Sequence, residues 1–292
     1  MEIKKIGVIG AGTMGAGIAQ VCAQAGFEVV LRDVEERFVR KGMATIDKSL
    51  AKAVEKGKMS ADDKAAALAH VKGTTALLDV KDCDVVIEAI IENVPVKKTL
   101  FKELDAICGE GAIFATNTST ISVTDIASSV RNPARFAGMH FFNPVPMMKL
   151  VEVIKGAKTS PETIAALKAL AERLGKTPIE VNDSPGFVVN RALIPMINEA
   201  VFCFHEGVAS AQDIDSAMKL GANHPMGPLE IADLIGLDVC LAIMDVLYDS
   251  FKDSKYRACP LLRKMVSAGM LGRRREKGFT ITRRNRGVRD EE

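Results

Sequence analysis

His140 stands among apolar residues in the run GMHFFNPVPMMKLVEV from Gly138 to Val153, and Glu152 follows twelve positions later inside a strand-like segment. It is one of only four histidines in the chain. An imidazole beside a carboxylate moves protons near neutral pH: the ring carries the proton, while the acid fixes its tautomer and stabilises the imidazolium. His140 and Glu152 are therefore the first candidates for acid/base chemistry. The competing reading is a satisfied core histidine and a solvated strand carboxylate, and the choice between them rests on what lies upstream.

Near the start, Ile3 to Ile9 run apolar into Gly10-Ala11-Gly12-Thr13-Met14-Gly15, after which Ile18, Ala19, Val21, Cys22 and Ala25 recur at helical spacing. Phe27 to Leu31 then reads as a second strand ending on Asp33. A lone G-x-G-x-x-G is weak, but strand, glycine turn, helix, strand and terminal acid together make a dinucleotide site. The glycines let the backbone approach a pyrophosphate at the helix N-terminus, and Asp33 accepts from ribose hydroxyls. A 2′-phosphate would meet that carboxylate, so the site favours NAD over NADP, with Arg32 and Arg37 nearby as the counter-argument.

The elements that must position these residues follow from the apolar pattern. Glu35 to His70 is polar and helix-prone with a break at Gly57, an inserted helical pair projecting from a sheet. Val71 to Thr75, Asp84 to Ala89, Ala112 to Thr116, Phe136 to Met139, Leu150 to Ile154 and Thr177 to Val181 read as strands, with helices from Pro95 onward and over Pro161 to Leu174. Asn117, Thr118 and Ser119 follow a strand at its C-terminal end, where ligands bind in open parallel sheets. After Pro185-Gly186 no clear strand remains. Val188 to His205, Ala211 to Leu220, Leu229 to Ser250 and Leu261 to Met270 read as helices, with Asn190 in the first turn. The fold class is α/β: a Rossmann-type, doubly wound, mainly parallel sheet over residues 1–184, then an all-helical domain over 185–273.

Composition narrows the function classes. The 292 residues are 48% hydrophobic and 26% charged, with a net charge of +2. From Arg273 to the end eight basic residues face four acidic ones, which leaves the rest near −2, so no basic body points to nucleic acid. There is no tryptophan and only two tyrosines to stack on bases. No apolar run suits a membrane span, and the N-terminal MEIKKIGVIG does not resemble a signal peptide. The six cysteines are scattered and show no metal spacing. The expectation is a soluble, cytoplasmic protein with reduced cysteines and no metal. His70, His205 and His224 lack a matching acid and read as structural.

The longer motifs resemble the 3-hydroxyacyl-CoA dehydrogenases, and most closely the short-chain bacterial members. They are GAGTMGAGIA, the run from Ile91 to Lys97, NTST at Asn117, HFFNPVP at His140, PGFVVNR at Pro185 and GANHPMGPLEIADLIGLD at Gly221. The resemblance implies a reversible NAD-linked interconversion of (S)-3-hydroxyacyl-CoA and 3-ketoacyl-CoA, with acetoacetyl-CoA as the ketone. His140 matches the general acid/base and Glu152 its partner. Ser119 and Asn190 match residues that hydrogen-bond the reacting oxygen or position substrate. Gly10, Gly12, Thr13, Met14, Gly15, Asp33, Glu92, Lys97, Asn117, Ser119 and Asn143 match cofactor positions, while Ser49 and Lys56 match positions approaching coenzyme A. Similar proteins dimerise through the helical domain, so a homodimer or larger homo-oligomer is expected. The runners-up are a dehydrogenase of a non-CoA hydroxy or sugar acid, and a dinucleotide-binding protein without turnover.

The ending departs from the pattern. Related chains read close to Lys-Thr-Gly-Lys-Gly-Phe-Tyr-Asp-Tyr after Arg273 and stop, whereas this one reads Arg274-Arg275-Glu276-Lys277-Gly278-Phe279-Thr280 and continues. Loss of one adenine from a codon series for the usual ending yields the observed residues. Residues 274–292 therefore read as an atypical basic tail with the signature of a frameshift, and its rivals are an anion-binding tail or a plain disordered end.

Overall fold

The computed structural model of the protein describes residues 2–280. The chain divides into two compact units, one running to Phe187 and the other beginning at Val188.

The first unit is built on eight strands: β1 (Lys5–Ile9), β2 (Glu28–Arg32), β3 (Val71–Thr74), β4 (Val85–Glu88), β5 (Ile113–Thr116), β6 (Phe136–Phe141), β7 (Leu150–Lys155) and β8 (Thr177–Asn182). They lie in the order β3-β2-β1-β4-β5-β6-β7-β8, and only β6 and β7 pair antiparallel. Strand order reverses between β1 and β4, which opens the crevice where ligands bind in such sheets. β4 and β5 are buried along their whole length, as apolar runs in a sheet covered on both faces must be. Alternate residues feed opposite faces: Val85 and Ile87 join one core while Val86 joins the other.

The first core is completed by α1 (Thr13–Gln24), α2 (Glu36–Glu55), α3 (Ala61–Ala69) and, further along the chain, a helix over Pro161–Arg173. The second is completed by α4 (Val94–Ile107) and α5 (Val123–Ala127). The Pro161–Arg173 helix is α6. Phe101 of α4 sits 4.6 Å from Phe136 and 6.0 Å from Phe114 in edge-to-face contacts. The inserted pair breaks at Gly57, where φ is +65°, and α3 starts on a capping box between Ser60 and Asp63. Rather than standing clear of the sheet, α2 buries a stripe of Val39, Gly42, Ile46 and Leu50, and Ile46 and Leu50 enter the first core. The five-residue α5 has no counterpart in the apolar pattern. Asp183 makes it by accepting from Ser122 Oγ, Val123 N and Thr124 N.

The second unit is helical: α7 (Val189–His205), α8 (Ala211–Gly221), α9 (Pro228–Ile235), α10 (Leu237–Phe251) and α11 (Pro260–Ser267). Leu229 to Ser250 reads as one helix in the sequence, but the structure breaks it at Gly236, whose φ of +110° no helix accommodates. Hydropathy is continuous across the break, so the pattern carried no sign of it. Asp233 is fully buried and accepts from Phe279 N, Thr280 N and Thr280 Oγ, which latches the chain after Lys277 onto α9. Phe279 also meets Phe204 edge-to-face at 5.8 Å. Residues 281–292 of the atypical tail lie outside the described residues. Among the described residues no helix is long and apolar enough to cross a membrane.

Candidate active site

β6 and β7 pair in a register that sets His140 directly opposite Glu152. A cross-strand partner in an antiparallel pair lies within side-chain reach without any loop to bring it there. His140 Nδ1 is 2.7 Å from Glu152 Oε2. With the carboxylate ionised, Nδ1–H donates to it, and Nε2 is left as the nitrogen able to exchange a proton with another molecule. His140 is 4% exposed and Glu152 is fully buried. The imidazole lies 4.5 Å from the Phe142 ring and 5.6 Å from that of Phe187. The hydrogen bond satisfies a carboxylate whose burial would otherwise be costly.

At the other end of the crevice, the turn after β1 is fixed by steric limits. Gly10 has φ +100°, and a Cβ there would meet the Ala89 carbonyl oxygen at 2.6 Å. At Gly15 a Cβ would fall 1.7 Å from the Gly10 oxygen. At Gly12 a Cβ would meet nothing within 4 Å, so that backbone faces open space. Helix α1 begins there with no side-chain cap and no acid in its first turn, so the amides of Thr13, Met14 and Gly15 present positive charge to that space. Asp33, at the end of β2, accepts from Ala11 N at 2.6 Å with one oxygen and from Val34 N at 2.7 Å with the other. It thus braces the turn in addition to facing the crevice. Both nearby arginines are engaged: Arg32 donates to the Thr75 carbonyl and Arg37 pairs with Glu35. An NAD pyrophosphate fits this bare, side-chain-free cradle.

Between these ends lies a charged network that the sequence reading only half anticipated. Lys97 is 1% exposed, and its ammonium sits 2.6 Å from Glu88 Oε1 and 3.2 Å from Glu92 Oε2. Glu88 is fully buried at the end of β4 and accepts further from Thr116 Oγ at 2.7 Å and Ile90 N at 2.7 Å. Glu92 accepts from Ser119 N at 2.9 Å and from the Thr118 hydroxyl. Burial opposes charge on Glu92, but the Lys97 ammonium and those hydrogen bonds outweigh it and hold the carboxyl below its ordinary value. Lys97 therefore meets the exposed surface through Glu92, and Glu92 shapes the loop that carries Ser119. Asn117 accepts from Phe141 N at 2.8 Å and ties the end of β5 to the residue after His140.

The remaining candidates fall on other elements. Asn143 is exposed on the loop after β6. Ser49 and Lys56 fall on α2 and its C-cap, seven residues and about two turns apart, on one face. Asn190 is in the first turn of α7 in the second unit. Sequence reasoning missed Glu88, which looked like the end of a buried strand. The visible sign was an acid and a lysine nine positions apart that both fall in apolar surroundings.

Comparison with known proteins agrees with this geometry. The family described as the 3-hydroxyacyl-CoA dehydrogenase NAD binding domain matches residues 5–184, and the corresponding C-terminal domain family matches residues 186–282. The chain is 56% identical over 275 residues to the 3-hydroxybutyryl-CoA dehydrogenase of Clostridioides difficile, covering 94% of this chain and 98% of that protein. It has the same identity over 275 residues to the probable 3-hydroxybutyryl-CoA dehydrogenase of Deinococcus radiodurans, covering 94% and 99%. The crystal structure of (S)-3-hydroxybutyryl-CoA dehydrogenase from Ralstonia eutropha superposes with a TM-score of 0.93 at 53% identity, over 96% of this chain and 99% of that one. The chain belongs to the 3-hydroxyacyl-CoA dehydrogenase family.

Proposed function

We propose that this protein catalyses the reversible NAD-linked interconversion of (S)-3-hydroxybutyryl-CoA and acetoacetyl-CoA. The buried His140–Glu152 pair is the observation that carries the chemistry. The substrate rests on relatives named for it at 52–56% identity.

When bound, NADH supplies hydride to the ketone carbon. Gly10, Gly12, Thr13, Met14, Gly15 and Asp33 would hold its adenosine and pyrophosphate end, and Glu92, Lys97, Asn117, Ser119 and Asn143 are the further residues that would contact or support it. His140 protonates the ketone oxygen as negative charge grows there, and takes the proton back in the oxidative direction. Glu152 keeps Nδ1 protonated and stabilises the imidazolium before transfer. Ser119 and Asn190 are read, from the resemblance, as residues that hydrogen-bond the reacting oxygen or position substrate, and a preorganised donor to that oxygen lowers the barrier by a few kcal/mol, roughly 2.7–4 where measured. Ser49 and Lys56 receive the coenzyme A portion. The protein works as a homodimer or larger homo-oligomer in the cytoplasm, a reading supported by its six free cysteines.

The test is NADH consumption with acetoacetyl-CoA, beside NADPH and beside free acetoacetate. Turnover that requires the CoA ester and prefers NADH is the expected result. Activity on the free acid instead would move the reading to a hydroxy-acid dehydrogenase. His140→Gln is expected to lower kcat by about 10²–10⁴-fold with NADH affinity retained. Loss of NADH binding in that variant would make His140 a structural residue.

A further inference from the structure

The loop between β6 and β7, residues 142–149, joins the strand of His140 to the strand of Glu152 and carries Asn143. From Asn143 to Lys149 only Val145 is buried; the other six residues are exposed. Two features hold its middle. Val145 packs onto α1 at Gly17, where an added Cβ would come within 2.9 Å of Val145 Cβ. The second is Lys176, whose ammonium donates to the Val145 carbonyl at 2.5 Å and to the Met148 carbonyl at 2.8 Å.

Lys176 is aimed there by the end of α6. Gly175 adopts φ +70°, its N–H donates to Glu172 O, and Lys176 N donates to Ala171 O at 3.0 Å, the Schellman pattern that fixes how a chain leaves a helix. Thr177 N then donates to Lys149 O at 2.7 Å and begins the pairing of β8 with β7. The lysine stem is thus clamped on both sides in sequence. The residue is 8% exposed, and among the described residues no ion pair involves it. Burial lowers its pKa from the ordinary lysine value. An ammonium taken out of water is tolerated only where hydrogen bonds satisfy it, and here both bonds go to carbonyls of a single exposed loop.

We infer that Lys176 is a positioning residue for cofactor use: its ammonium holds loop 142–149, and with it Asn143, in register with the helix that leads from the glycine turn. The inference rests on the reading of Asn143 as a cofactor contact. The loop has one anchor on α1, which starts at the dinucleotide turn, one on Lys176, and a third only at its end, where Thr177 N donates to Lys149 O. Releasing the second leaves the loop free to drift relative to that turn, while the rung between His140 and Glu152 is kept by the sheet.

Lys176→Met keeps the stem and removes the charge and donors. NADH affinity is read directly by fluorescence titration, and kinetics with acetoacetyl-CoA are run alongside. Kd and KM for NADH are expected to rise about ten-fold, with KM for acetoacetyl-CoA changed less than about two-fold, since misplacement of a positioning group by 1 Å can cost as much as 10²-fold. An unchanged Kd for NADH in a folded variant overturns the inference, as does an equal rise in both KM values with a fall in Tm. Should Lys176→Met not fold, Lys176→Gln keeps a polar group at the same place while removing the ammonium, and an unchanged NADH Kd there overturns the inference equally. Wild-type protein that binds NADH but leaves acetoacetyl-CoA untouched would sink the proposed substrate, and the NADH titration of the variants would still decide the role of Lys176.

Discussion

Lys97 carries one charge between two carboxylates, and Glu88 is so deeply placed that it has no route to water. Removing one member of a buried pair leaves the other charged and unpaired, which costs about 3–5 kcal/mol. Lys97→Met is therefore expected to lower the unfolding free energy by about that amount, seen as a shift in urea midpoint. The network also makes a statement about acid. The Glu92 carboxyl is held below its ordinary 4.5, so its contribution to stability is fully present above that value. It is lost as pH falls through the lower, folded value. Lys176 has the opposite sign: its folded pKa is lowered below 10.5, so its burial opposes folding while it is charged, and that opposition fades as pH rises from the folded value to 10.5. Which of these residues could be read without a structure depended on the kind of partner. His140 and Glu152 announce themselves by residue type within one apolar run. Glu88 and Lys176 do not, because their partners are a lysine on another element and two main-chain carbonyls, neither of which leaves a pattern in residue order.

Strands and long amphipathic helices were legible because burial imposes a period on them. α5 was not, since Asp183, sixty positions after Val123, supplies the acceptors for its first turn. Gly236 was not, since it interrupts a stretch that stays apolar on both sides. The same logic applies to the short segment after α11. Gly272 and Lys277 bridge each other, and Glu276 takes φ +52° just before the bridge closes. Related chains have glycine at that position, and a non-glycine residue held in the left-handed region costs of order 1–3 kcal/mol. Glu276→Gly is expected to stabilise the protein by about 1 kcal/mol, measured as an increase in urea midpoint at unchanged slope. The Lys277-Gly278-Phe279 run that follows keeps its place around Asp233, where Gly278 leaves no room for any Cβ.

At the scale of the molecule, each unit has its own core, and the second one leaves Val208, Leu220, Leu234, Val239 and Tyr248 exposed. Apolar residues scattered singly over a surface are ordinary, so the proposed homo-oligomer rests on the resemblance to proteins that dimerise through their helical domain. Sedimentation equilibrium is expected to return at least twice the 31.4 kDa of one chain. A monomer at micromolar concentration would remove the proposal. Self-association is illegible in one sequence because a helix apolar all round reads the same whether it fills its own core or a neighbour's. The rung between β6 and β7 has a bearing on how the protein comes to work at all. Because sheet register, not a loop, chooses the partner of His140, a slip of one residue in that hairpin would turn one of the two side chains to the opposite face. Returning turnover after dilution from denaturant therefore requires the in-frame zipping of two neighbouring strands, even where the surrounding helices have already formed.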